Sequence, residues 1–125
     1  MSSSATRFTA RIVPGTGRGK RMGVPTFNLD LPSVPADLSE GIYAAYASLD
    51  GQRLPAVVHY GPRLFHGEST SFEVHLLDSP PPPASSLTVE MVERLRSVRS
   101  FATEEALKAQ IAMDMAQARA ILAQP

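Results

Sequence analysis

A chain of 125 residues, 43% apolar and 19% charged, is long enough for one domain with a buried core. It holds no apolar run near the roughly 20 residues of a membrane span, and residues 1–6 read as a polar tail rather than a secretory signal. The absence of cysteine excludes a disulfide framework and a thiolate metal site and fits a reducing cytoplasm, while zero net charge argues against long nucleic acid as a partner.

The domain proper is expected over residues 7–125. Arg7–Val13 alternates, with Phe8, Ala10 and Ile12 on one face, and predicts a strand. It leads into Gly15-Thr16-Gly17-Arg18-Gly19-Lys20-Arg21, where alternate glycines free the backbone to turn its amides inward. Residues 26–39 are rich in Pro, Ser and Asp and predict a loop. The apolar runs 41–49 and 52–60 flank Asp50-Gly51, a pair suited to a type I′ hairpin turn. Pro55 falls inside the second run, where a missing N–H weakens the case for a central strand. Residues 71–77 alternate, with Phe72, Val74 and Leu76 opposed to Glu73 and His75, and after the stiff run Pro80–Pro83 residues 86–92 alternate again. The period then changes. Thr103 is a candidate N-cap followed by Glu104 and Glu105, and Leu107, Ile111, Met115, Ala118 and Leu122 share one face of a helix over about 103–123. Short strands separated by turns, followed by one helix, predict an all-β class: a small closed antiparallel barrel with a C-terminal helix.

Charge is unevenly distributed. Residues 1–29 carry Arg7, Arg11, Arg18, Lys20 and Arg21 and no acid, whereas residues 30–93 carry nine acids against Arg53 and Arg63. The basic glycine segment is therefore a candidate nest for an anion, with Gly15, Gly17 and Gly19 supplying amides and Lys20 and Arg21 charge. Thr26 and Asn28 follow it, both oxygen donors suited to a hard cation such as Mg²⁺. The competing interpretation is a glycine-rich turn with a solvated basic face. Glu73 is a candidate base if the face of Phe72 and Val74 is core, against the commoner fate of a surface glutamate. His59, His66 and His75 lack a second ligand at metal spacing.

The order Gly-x-Gly-Arg-Gly and then Gly-x-Pro-Thr-x-Asn-Leu, over residues 15–29, resembles the signature of the riboflavin kinase family. The resemblance runs from about Arg11 to Leu122. It implies a six-stranded, Greek-key-like barrel that transfers the γ-phosphate of ATP to the ribityl 5′-hydroxyl of riboflavin, giving FMN and ADP. By this resemblance Gly15, Gly17, Gly19, Lys20, Arg21, Thr26 and Asn28 bind ATP, with Thr26 and Asn28 holding Mg²⁺. Glu73, in Phe-Glu-Val-His-Leu-Leu-Asp, takes the catalytic position. Arg96, Arg99 and Phe101 match the element that lines the flavin pocket, with Ser97-Val98 where the family usually has Pro-Glu. Two further segments depart from the pattern, Gly61–Phe65 and the proline-rich Asp78–Ser86. A stand-alone, monomeric cytoplasmic kinase domain is expected, without the FAD-forming module to which this family's domain is commonly joined. Two alternatives remain beside it: a flavin- or nucleotide-binding barrel with weakened turnover, and a small RNA-binding barrel. The latter would need aromatics among the cations, and Phe8 is the sole aromatic between Arg7 and Arg21.

Overall fold

The computed structural model describes residues 6–13, 26–62, 70–78, 80 and 82–123. Its strands are β1 (Arg7–Val13), β2 (Phe27–Leu29), β3 (Gly41–Leu49), β4 (Gln52–Pro62), β5 (Thr70–Leu76) and β6 (Ser86–Arg96), followed by helix α1 (Glu104–Leu122). A 3-10 turn at Leu31–Ser33 lies between β2 and β3. All neighbouring strands pair antiparallel in the order β1-β2-β5-β4-β3-β6, and β6 pairs with β1 to close a barrel. Strands β3, β4 and β5 form a meander and β6 returns beside β3, which is Greek-key order.

The alternations read from the sequence define the barrel interior. Ala10, Phe27, Leu29, Phe72, Val74, Leu76, Leu87, Val89 and Met91 point inward, with Phe8 and Ile12 packed against them. Phe72 meets Phe8 edge-on at 5.4 Å between ring centroids and Tyr60 at 5.3 Å. The β3–β4 turn has the predicted geometry, with φ of 49° at Asp50 and 80° at Gly51. Both values are positive, as a type I′ turn requires.

Pro55 is nonetheless in a central strand. It stands opposite Tyr46 of β3, while the β4–β5 ladder begins at Ala56. The Pro55 carbonyl accepts from the Leu77 N–H at 3.0 Å, so the strand side that lacks a donor falls at the end of that ladder.

Strand β3 is buried on both faces. Tyr43, Ala45, Ala47 and Leu49 face the interior, while Ile42 and Ala44 join Val57, Leu77, Ala118 and Leu122 in a second cluster outside the barrel. That outer cluster is where α1 docks. The Thr103 Oγ1 accepts from the Ala106 N–H at 3.0 Å, and Glu104 and Glu105 occupy the first turn. At the other end, the Tyr46 hydroxyl donates to the Leu122 carbonyl at 2.7 Å, and Arg119 donates to the Leu77 carbonyl at 2.7 Å and to Asp78 at 2.9 Å. These bonds satisfy groups that a helix end leaves open and tie the helix to β3 and the end of β5.

Three further details depart from the sequence expectation. Phe27–Leu29, inside the segment expected as a loop, form strand β2, because their backbone pairs with β1 on one side and β5 on the other. Strand β6 continues to Arg96 rather than stopping near residue 92, because register shifts opposite Ile42/Tyr43 and Ala44/Ala45 break its alternation without ending its pairing with β3. The buried face of α1 consists of Leu107, Asp114, Ala118 and Leu122, with Ile111 and Met115 only half-buried. A carboxylate thus stands in an otherwise apolar stripe.

Candidate active site

The register of the barrel brings distant residues into one row. Asn28 of β2 pairs with Glu73 of β5, Glu73 with His59 of β4, His59 with Ile42 of β3, and Ile42 with Arg96 of β6. Paired residues project to the same side of a sheet. Since Phe27, Leu29, Phe72 and Val74 point inward, this row lies on the outer face. With strands about 4.8 Å apart, four steps from Asn28 to Arg96 cover roughly 19 Å of curved surface.

Glu73 is half-buried, and it is held in place. The Ser71 hydroxyl donates to Glu73 Oε2 at 2.9 Å, and Ser71 itself is buried. This is not a glutamate waving in solvent; one carboxylate oxygen is fixed by a charge-assisted bond and its orientation follows.

Both ring nitrogens of His59 are shielded from solvent, and among the described residues neither has a hydrogen-bond partner of good geometry. Burial pushes this imidazole below its ordinary value, the Glu73 carboxylate opposes that shift, Arg96 adds to it and Asp114 opposes it. His59 is therefore neutral at neutral pH and lies in the field of a carboxylate on one strand and an ion pair beyond Ile42.

Asn28 is half-buried at the far end of the row. Thr26 lies two residues before it, immediately ahead of β2, and is likewise half-buried. A hydroxyl, an amide oxygen and the neighbouring carboxylate of Glu73 form an all-oxygen donor set. Such a set fits Mg²⁺, which takes few protein ligands and fills its sphere with phosphate oxygens and water. Among the described residues no cluster of three or more His, Cys, Asp or Glu offers a competing metal site.

At the opposite end, Arg96 Nε and Nη2 donate to Asp114 at 2.9 and 2.7 Å. The Arg96 guanidinium lies 5.9 Å from the Phe101 ring centroid and that of Arg99 lies 5.0 Å from it. The three residues expected to act together are thus gathered around one half-buried aromatic ring. The connector that carries two of them is pressed onto β4 at Gly61, where a Cβ would come within 2.8 Å of Val98 Cγ2.

The structure therefore places Glu73, Thr26 and Asn28 at one end of an outer strip, and Arg96, Arg99 and Phe101 at the other. Gly15, Gly17, Gly19, Lys20 and Arg21 lie outside the described residues. Sequence reading passed over Ser71, set His59 aside for want of a metal partner, and overlooked Asp114. Of these only Asp114 had a local signal, since its spacing from Leu107 and Ala118 puts it on the helix's apolar face.

Fold and site together define a small closed antiparallel β-barrel that carries oxygen donors and a fixed carboxylate at one end of an outer strip, and a guanidinium beside an aromatic ring at the other. Comparison with known proteins narrows the class. The riboflavin kinase (flavokinase) family profile matches residues 3–122. The bifunctional riboflavin kinase/FMN adenylyltransferase of Pseudomonas fluorescens is 35% identical over 120 residues, covering 94% of this chain and 38% of that protein. Human riboflavin kinase is 30% identical over 124 residues, covering 92% of this chain and 79% of that one. A crystal structure described as a macrolide-efflux protein from Streptococcus pneumoniae superposes with a TM-score of 0.76 at 25% identity, over 92% of this chain and 38% of that one. The chain belongs to the riboflavin kinase family. It spans well under half the length of the bifunctional relatives it matches.

Proposed function

We propose that this chain transfers the γ-phosphate of ATP to the ribityl 5′-hydroxyl of riboflavin, yielding FMN and ADP. The observation that carries the reading is the in-register pairing of Asn28 with Glu73 on the outer face of the barrel, with Ser71 fixing the carboxylate. A base for the attacking hydroxyl thereby stands beside oxygen donors for the cation that accompanies the phosphates. The family and its relatives support the same reading.

In this mechanism Thr26 and Asn28 would hold Mg²⁺, which would supply positive charge to offset that of the nucleotide phosphates. Gly15, Gly17 and Gly19 supply amides to the phosphates, and Lys20 or Arg21 adds positive charge. Glu73 accepts the proton of the 5′-hydroxyl as its oxygen attacks the γ-phosphorus, and the bond to the ADP oxygen breaks in line. Phosphoryl transfer depends mainly on positioning and charge neutralisation, so this small set of groups suffices. The isoalloxazine lies toward Phe101, which stacks on it, with Arg96 and Arg99 as donors to its carbonyls. The length of the strip suits a flavin ring followed by its ribityl chain, with the phosphoryl end at Asn28.

The reading extends to a monomer that works in the cytoplasm on small molecules and not on nucleic acid. The cysteine-free, charge-balanced composition supports it, and among the described residues no helix is long and apolar enough to cross a membrane. Incubation with riboflavin, ATP and Mg²⁺, followed by chromatography, tests the activity. FMN formation dependent on all three supports it, and a folded protein that forms none refutes it.

A further inference from the structure

Asp114 is the single buried charged side chain among the described residues. Its Oδ1 accepts from Arg96 Nε at 2.9 Å and from Gln110 Nε2 at 3.1 Å, and its Oδ2 accepts from Arg96 Nη2 at 2.7 Å. The pair is close to dry, with side-chain exposures of 18% for Arg96 and 5% for Asp114. Arg96 Nη1 donates in turn to the Ser97 carbonyl at 3.0 Å.

Such a pair is a poor way to fasten a helix to a barrel. The cost of drying two charges offsets much of their attraction, and an apolar pair of similar volume often serves as well or better. The apolar cluster of Ile42, Ala44, Val57, Leu77, Ala118 and Leu122 already docks α1. What an apolar pair does not do is fix the plane of a guanidinium. Side-on engagement by both carboxylate oxygens and the bond to Ser97 occupy three of the five Arg96 N–H groups. Two donors remain, one on each terminal nitrogen, at positions set by α1 and by the backbone after β6. Gln110 locks the carboxylate from one turn earlier in the same helix.

We propose that Asp114 is a positioning residue for the flavin: it holds the guanidinium plane of Arg96 so that its two remaining donors are presented beside the Phe101 ring. Gln110 is the brace for that carboxylate. This rests on the reading that Arg96 and Phe101 line the flavin site. Asp114 itself touches no substrate and acts through Arg96 alone, so its effect belongs to the acceptor and not to the nucleotide.

The test is a double-mutant cycle on the full chain. Riboflavin affinity is read by fluorescence quenching, MgATP affinity by calorimetry and folding by thermal melts. Asp114→Asn is expected to weaken riboflavin binding about tenfold, the scale of one well-placed charged hydrogen bond, with MgATP affinity within about twofold. In an Arg96→Leu background the same substitution should produce no further loss of flavin affinity. If Asp114→Asn fails to fold, Asp114→Glu carries the test, since it keeps the charge and moves the carboxylate by one methylene. Unchanged riboflavin affinity in a folded Asp114 variant overturns the proposal, as does an additive loss in the Arg96→Leu background or an equal loss for both ligands. A wild type that binds MgATP and no riboflavin refutes the flavin reading itself, and the positioning role falls with it.

Discussion

Glu73 and His59 stand directly opposite one another in the β4–β5 ladder, yet the two are held very differently. The carboxylate is clamped by the Ser71 hydroxyl at 2.9 Å, whereas both imidazole nitrogens are shielded and, among the described residues, lack a hydrogen-bond partner of good geometry. A carboxylate is thus kept oriented beside a ring that burial keeps uncharged.

The orientation of Glu73 leads to the first prediction. Glu73→Gln preserves size and still accepts the Ser71 bond, and the inward packing of Phe72 and Val74 is untouched. It removes the ability to take a proton, which general-base catalysis converts to about 10²–10⁴ in rate. Steady-state FMN formation should fall by that factor with riboflavin and MgATP affinities retained. A rate within a few-fold of wild type excludes Glu73 as the base.

Asn28, the proposed cation ligand, sits at the Glu73 end of the strip, between the buried Phe27 and Leu29. Asn28→Ala leaves that packing intact, so thermal stability should change by no more than about 0.5 kcal/mol. MgATP affinity should fall by at least the roughly 10–100-fold seen when groups supporting a metal are removed. Calorimetric titration with and without Mg²⁺ checks it, and an unaltered Mg²⁺-dependent affinity moves the cation elsewhere.

His59 gives a pH dependence with a definite sign. Its folded-state pKa lies below its unfolded value, chiefly through burial, with Glu73 opposing. Below the ordinary histidine pKa of about 6.5 the unfolded chain therefore binds a proton that the folded chain resists. Stability from this residue is fully present above that pH and is lost as pH falls toward the folded-state pKa. Melting temperature should decline between pH 7.5 and 5.5 in the wild type, and the decline should be shallower in His59→Phe. Parallel declines for the two proteins contradict the assignment.

Gly61 has φ of 152°, and a Cβ there would meet Val98 at 2.8 Å. Gly61→Ala should cost about 1–3 kcal/mol from backbone strain and push the connector between Arg96 and Phe101 away from β4. Riboflavin KM should rise while ATP KM holds, because Val98 lies between Arg96 and Phe101, at the end of the strip proposed for the flavin. Equal KM values for both substrates in wild type and variant dissociate this contact from the pocket.

All the strands but the three-residue β2 were legible, because each carries its own instruction. Phe8-x-Ala10-x-Ile12 and Phe72-x-Val74-x-Leu76 alternate locally, and Asp50-Gly51 needs no partner to specify its turn. The candidate site was legible only in part. That Glu73 faces away from the core follows from alternation, but that Asn28 and His59 flank it is a matter of register between strands far apart in sequence. No local pattern encodes register. The full length of β6 was hidden by irregular pairing with β3, which scrambles the two-residue period past Met91. Asp114 was obscured because an acid on a helix reads as a solvated face until the partner that needs it, Arg96, is placed beneath it.

Closure of the barrel makes the timing of folding depend on its last strand. β6 pairs with both β1 and β3, joining residues as far apart as Arg7 and Glu90. As the chain leaves the ribosome, β1 has little to pair with beyond three-residue β2, and β3 keeps one bare side, until residues 86–96 emerge. Closing contacts so distant in sequence is slow, and nascent barrels cut short before β6 would present two open strand edges to their neighbours. The penalty for an interrupted synthesis is therefore association between incomplete chains, and a stop placed ahead of Ser86 should yield aggregate where the chain carried through α1 yields folded protein.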